Sequence, residues 1–102
     1  MLLLEFSMTP LDKGESVSAY VARALDIVDR SGLPYQFTPM GTIIEGDWDA
    51  AMKVLGDCFK ALESDCKRIS IAVKIDYRAG RTGALTKKLD SVESRLGRKL
   101  KR

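Results

Sequence analysis

Apolar and polar positions fall into two periods along this chain, and their succession predicts seven elements. Leu2, Leu4, Phe6 and Met8 alternate with Leu3, Glu5 and Ser7, the period-two signature of a half-buried strand. Pro10 is expected to end it. Val17, Val21, Ala24, Leu25 and Val28 then follow helical spacing between Ser16 and Ser31, an apolar stripe on one face. Ser16 or Ser18 can cap that helix at its start, and Gly32 suits the left-handed residue beyond its end. Alternation returns in Tyr35-Gln36-Phe37-Thr38, bracketed by Pro34 and Pro39. The prolines predict an edge strand, since proline cannot donate to a ladder. Gly41 supports a hairpin into Thr42-Ile43-Ile44-Glu45.

Asp47 is a candidate cap for a second helix carrying Trp48, Met52, Leu55, Phe59 and Leu62, a stripe expected to pack on the sheet. The clearest alternation of all is Ile69, Ile71, Val73 and Ile75 against Ser70, Ala72, Lys74 and Asp76. An Arg- and Gly-rich stretch, 78–83, leads into a third helix marked by Leu85, Leu89, Val92 and Leu96. The order β-α-β-β-α-β-α contains the split βαβ arrangement of ferredoxin-like domains, an α+β class with an antiparallel sheet and two helices on one face. Residues 1–102 read as one domain, with a basic tail over 97–102 expected to fray. The first two helices leave one sheet face bare. Leu3, Glu5, Ser7, Gln36, Thr38, Ala72, Lys74 and Asp76 should occupy it, and a sheet-to-sheet dimer is the simplest cover. On the third strand the period pairs Ile43 with Glu45 and Thr42 with Ile44 on opposite faces, without saying which pair points inward.

Composition narrows the chemistry. There is no histidine among the 102 residues, which removes the commonest general acid or base near neutral pH. Zinc ligation by Cys58 and Cys66 would need carboxylates to complete the set. The two read as a small buried helix residue and a loop thiol, with a disulfide not expected. The net charge of +3 divides into −5 over residues 1–49 and +8 over residues 50–102. The basic end reads as a solvated helix face, because no aromatic follows Tyr77 to stack a nucleobase. Neither a signal peptide nor a membrane span is expected, and the cytoplasm is the expected compartment.

Two polar constellations remain: Thr42 with Glu45, and Lys74-Ile75-Asp76-Tyr77-Arg78. A carboxylate accepts from an exocyclic amine, and a hydroxyl serves a ring nitrogen. Tyr35, Phe37 and Trp48 are the nearby aromatics, Trp48 and Phe37 reading more readily as core. The 80–83 stretch lacks the phosphate-loop spacing and reads as a flexible connector, while Asp76 and Arg78 read as a local ion pair.

Several strings together resemble a family. They are Gly14-x-Ser16-Val17-Ser18-x-Tyr20-Val21, Ser31-Gly32-Leu33-x-Tyr35, Pro39-Met40-Gly41-Thr42-x-Ile44-Glu45-Gly46, Lys74-Ile75-Asp76-x-Arg78 and Lys88-Leu89-x-Ser91-Val92. The chain resembles the small thiamine-binding, YkoF-like proteins, of ferredoxin-like fold. The resemblance implies a non-catalytic binder of thiamine or its hydroxymethylpyrimidine part, without a cofactor, working as a homodimer or homotetramer joined through its sheets. It implies Thr42 and Glu45 as first pocket candidates, with Ser16 or Ser18, Tyr35, Phe37 and Asp76 behind them. The competing reading is a protein-interaction or regulatory module that uses the bare sheet face and holds no small ligand. An enzyme with Glu45 or Asp76 as base is the weakest reading.

Overall fold

Pairing of alternating strands against two amphipathic helices gives the architecture that the periods predict. The computed structural model describes residues 1–102, in the order β1 (Leu2–Pro10), α1 (Ser18–Arg30), β2 (Tyr35–Thr38), β3 (Gly41–Gly46), α2 (Trp48–Glu63), β4 (Ile69–Tyr77) and α3 (Ala84–Leu96). One antiparallel sheet runs β2-β3-β1-β4. The fold is ferredoxin-like. β2 is an edge strand, as its flanking prolines require, and β4 is the other edge.

The register settles the question left open on β3. Leu4 of β1 stands opposite Ile44, so these two share a face, and both are fully buried. Thr42 is therefore on the inner face with Ile44, and Ile43 and Glu45 are on the outer one. The core joins Leu2, Leu4, Phe6, Met8 and Ile44 of the sheet to Ala24 and Val28 of α1 and to Ala51, Val54, Cys58 and Leu62 of α2. Each large apolar side chain fully buried there contributes about 1.5–3 kcal/mol.

Several local expectations change. α1 starts two residues later than the apolar stripe suggested. Val17 is its N-cap, with no side-chain hydrogen bond, so neither Ser16 nor Ser18 caps it. Asp47 does cap α2, accepting from the Ala50 amide at 2.8 Å. Gly32 takes φ 77° beyond α1, as expected. Gly41 is required for a different reason: a Cβ there would lie 2.9 Å from the Phe6 carbonyl oxygen, so any side chain would push the hairpin off β1.

Trp48 is not core. It is 58% exposed, because the face of α2 that meets the sheet is Ala51, Val54, Cys58 and Leu62. Small residues at 51 and 58 let the helix approach closely and rotate the larger stripe to its flank. Cys66, expected as a loop thiol, is buried against the core, and both cysteines are free.

α3 lies on the outer face of the sheet at β3. Beyond it the tail turns back. The Leu100 amide donates to Glu93 Oε2 at 2.6 Å, and Arg102 pairs with Glu93 and Asp90. No helix of the chain is long and apolar enough to cross a membrane.

Candidate functional site: a groove under the hairpin

The residues singled out by sequence separate onto two faces of the sheet. Thr42 and Phe37 are register partners on β3 and β2, both on the inner face. Glu45 and Asp76 are both register partners of Leu3, one on each side of it, and belong to the outer face. Thr42 and Glu45 therefore do not form one cluster, although only two residues separate them.

The inner-face pair borders a groove of about 190 Å³ between the start of α1 and the β2–β3 hairpin. Val17, Val21, Phe37, Met40, Gly41 and Thr42 are among its lining residues. It is apolar with few polar groups, the ordinary make-up of a small-ligand site. Its volume lies below the ~300–1,000 Å³ of drug-sized pockets, which suits a single ring. Thr42 is buried at the groove wall, and no hydrogen bond within the chain engages its hydroxyl. Phe37 and Met40 are 56% and 88% exposed. An exposed aromatic ring and a polarisable thioether at a groove mouth are well suited to a flat heterocycle. Ser16 and Ser18 flank the lining residue Val17 at the same end, and both are exposed. Neither serine caps α1.

Tyr35 is held elsewhere. Its hydroxyl donates to Asp29 of α1 at 2.8 Å, and that hydrogen bond to a carboxylate raises the phenol above its ordinary value. It ties the edge strand to the helix beside the groove.

On the outer face, Glu45 is nine-tenths buried and accepts the Ala84 amide at 2.8 Å. That amide belongs to the first residue of α3, so the carboxylate supplies the helix N-terminus with an acceptor from another strand. Asp76 does not pair with Arg78. Lys88 donates to its Oδ2 at 2.6 Å and Arg81 to the same oxygen at 3.0 Å, while Arg81 Nη2 reaches the Asp76 carbonyl at 2.7 Å. These bonds, Lys88 first, hold the Asp76 carboxyl below its usual range. The 80–83 stretch, expected as a flexible connector, is thereby tied to β4. Sequence reading missed Arg81 and Lys88; their only signal was their position just after an acidic strand end.

A second cleft, of about 350 Å³, lies beside this cluster, with Leu3, Glu5, Ile43, Lys74, Asp76 and Lys88 among its lining residues. It is bounded by charges of both signs that can satisfy one another, whereas the hairpin groove offers an unpaired hydroxyl.

The sequence profile of the thiamine-binding protein family matches residues 4–93. The UPF0045 protein Mb1933 of Mycobacterium bovis is 42% identical over 93 residues, covering 90% of this chain and 91% of that protein. The UPF0045 protein MJ1052 of Methanocaldococcus jannaschii is 32% identical over 91 residues, covering 89% and 91%. The crystal structure of MJ1052 superposes with a TM-score of 0.82, covering 89% of this chain and 94% of that one. A Thermotoga maritima structure, whose description proposes a role in thiamine biosynthesis or salvage, superposes with a TM-score of 0.78 at 22% identity, covering 89% and 97%. At that identity the likeness is one of fold.

Proposed function

The chain belongs to the thiamine-binding protein family, and from that premise we propose that it binds thiamine, or the hydroxymethylpyrimidine part of it, in the groove under the β2–β3 hairpin. One observation carries the assignment to this groove. Two of the strings that mark the family resemblance, around Ser16-Val17-Ser18 and Met40-Gly41-Thr42, are over twenty residues apart in sequence and meet at its walls. A groove of one-ring size with an unengaged hydroxyl suits an aminopyrimidine, whose ring nitrogens accept and whose amine donates. Phe37 offers a face for the ring, and the thiazolium would extend past Met40 toward solvent. Glu45 and Asp76 serve in this reading as anchors for α3, at a distance from the ligand.

The role is capture of the molecule without a reaction, in keeping with the description of the family as a binding protein. The sheet-joined homo-oligomer implied by the family resemblance belongs to the same reading.

Titration calorimetry tests it. Thiamine and free hydroxymethylpyrimidine should both bind the wild-type chain. Phe37→Ala should weaken binding by about 5- to 150-fold, the equivalent of the ~1–3 kcal/mol found for stacking a base on an aromatic ring. Glu45→Gln should bind as the wild type does. Loss of binding in Glu45→Gln, with Phe37→Ala unaffected, would move the ligand to the outer face.

A further inference from the structure

The basic end of the chain is folded, and aliphatic side chains stand among its cations. The apolar stripe of α3 runs through Leu85, Leu89, Val92 and Leu96 at helical spacing. Its first half lies against the sheet, with Ala84 buried and Leu85 and Leu89 half-buried. Its second half has no such cover. Val92 and Leu96 are 49% and 50% exposed, and Leu100, beyond the helix, is 43% exposed.

Glu93 fixes the tail beside them. Gly97 takes φ 73° and ends the helix, its amide donating to the Glu93 carbonyl at 2.9 Å. The Arg98 amide donates to the same carbonyl at 3.3 Å, and the Leu100 amide to the Glu93 carboxylate at 2.6 Å. Arg102 pairs with Glu93 and Asp90, and Lys99 reaches Glu93 at 3.6 Å. These contacts leave Glu93 only 5% exposed and turn a segment expected to fray into an ordered cap. They also occupy both acids of the segment, whereas Arg95, Arg98 and Lys101 form no ion pair. Five of the eight residues from Arg95 to Arg102 are Lys or Arg.

From this we infer that the second half of α3 and the turn after it rest on the surface of an anionic phospholipid bilayer, with Val92, Leu96 and Leu100 at the acyl boundary and the cations among the headgroups. The charge sets the sign of the partner, since clusters of ~4–8 Lys or Arg on an amphipathic helix bind anionic lipid. The aliphatic residues set its kind. A nucleic acid would neutralise the cations but leave those three side chains in water, and no aromatic is present in the segment to stack a base. A lipid surface takes both in one contact, apolar side chains inward and Lys and Arg stems reaching back to the headgroups. The contact is peripheral, because no helix here is long and apolar enough to cross. It also leaves the fold intact: α3 is tied to the sheet at its other end, through Glu45 to the Ala84 amide and Asp76 to Lys88.

Vesicle flotation of the full chain tests the contact. The chain should float with vesicles of equal parts phosphatidylcholine and phosphatidylglycerol and stay behind with phosphatidylcholine alone. Raising the salt to about 1 M, where the screening length falls to ~3 Å, should release it. Arg95→Gln combined with Arg98→Gln should weaken partitioning about 25-fold, roughly fivefold for each cation. Leu96→Ser should weaken it about fivefold, for the half of a leucine side chain that water still reaches, with an unchanged circular dichroism spectrum. A chain that ignores anionic vesicles, or floats equally well with neutral ones, would overturn the inference. So would a folded Leu96→Ser chain that partitions as the wild type does, or a wild type that retards duplex DNA in a gel and leaves vesicles alone, which would give the surface to nucleic acid. Flotation is read without thiamine, so failure here leaves the groove reading standing.

Discussion

Thr42 and Glu45 show how much one residue's orientation decides. Both sit in a single short strand, and both are buried. The pairing of Leu4 with Ile44 turns Thr42 toward the groove and Glu45 toward α3. In the proposed reading the Thr42 hydroxyl, with no internal partner, meets the ligand, and the Glu45 carboxylate, which accepts the Ala84 amide, anchors α3. Thr42→Val keeps the shape and removes the hydrogen-bonding group. It should weaken thiamine by roughly 2- to 10-fold, the equivalent of the ~0.5–1.5 kcal/mol net value of a neutral hydrogen bond, with little change in melting temperature. Calorimetry together with a thermal melt checks both halves. An unchanged affinity would take the hydroxyl out of the contact set.

Among the elements, α3 has the most to lose from single changes, because its docking rests on few groups. Glu45→Ala removes the acceptor of the Ala84 amide and should destabilise α3 docking by about 1.5–3 kcal/mol, the range for hydrogen bonds to a charged group. Faster hydrogen exchange at the first-turn amides of α3 would register it; exchange at the wild-type rate would contradict it. Acid should act on the same element. The Asp76 carboxyl is depressed by Lys88 and Arg81, so its contribution is fully present above the ordinary aspartate value of about 3.9. It is lost as pH falls through the lower folded value. Release of α3, followed by exchange or by methyl resonances of Leu85 and Leu89, should therefore begin only below about pH 4. Release near pH 6 would require a different titrating group.

The strands and the two core helices were legible because a period of two or 3.6 is written in the residues themselves. What was not legible depended on neighbours. Alternation in Ile71, Val73 and Ile75 marks a strand, yet it cannot say whether a helix covers that face. The apolar stripe from Trp48 to Leu62 marks a helix, yet small residues at 51 and 58 decide which side meets the sheet. Asp76 was recognised as a polar strand end, but its partners come from a loop and a helix that only the fold brings back to it. Of the candidate residues, Phe37 and Thr42 border one groove, which Val17, between Ser16 and Ser18, also lines, while Glu45, Asp76 and Tyr35 make hydrogen bonds elsewhere.

At the scale of the whole molecule, few residues are buried: 18 of 102. The radius of gyration of 15.0 Å exceeds the ~13 Å usual for about 100 residues. Much of the exposed apolar surface lies on β4, at the sheet edge opposite the β2–β3 hairpin and its groove. Val73 lies on β4, at the sheet edge away from the hairpin groove, so Val73→Lys should keep its affinity for thiamine within about threefold in calorimetry, which is under ~0.7 kcal/mol.

The most direct test is calorimetric titration of thiamine into the wild-type chain beside Phe37→Ala and Glu45→Gln. The groove assignment predicts saturable binding that Phe37→Ala weakens and Glu45→Gln preserves. Wild-type protein that takes up no thiamine or hydroxymethylpyrimidine, or binding that Phe37→Ala leaves untouched, would contradict it.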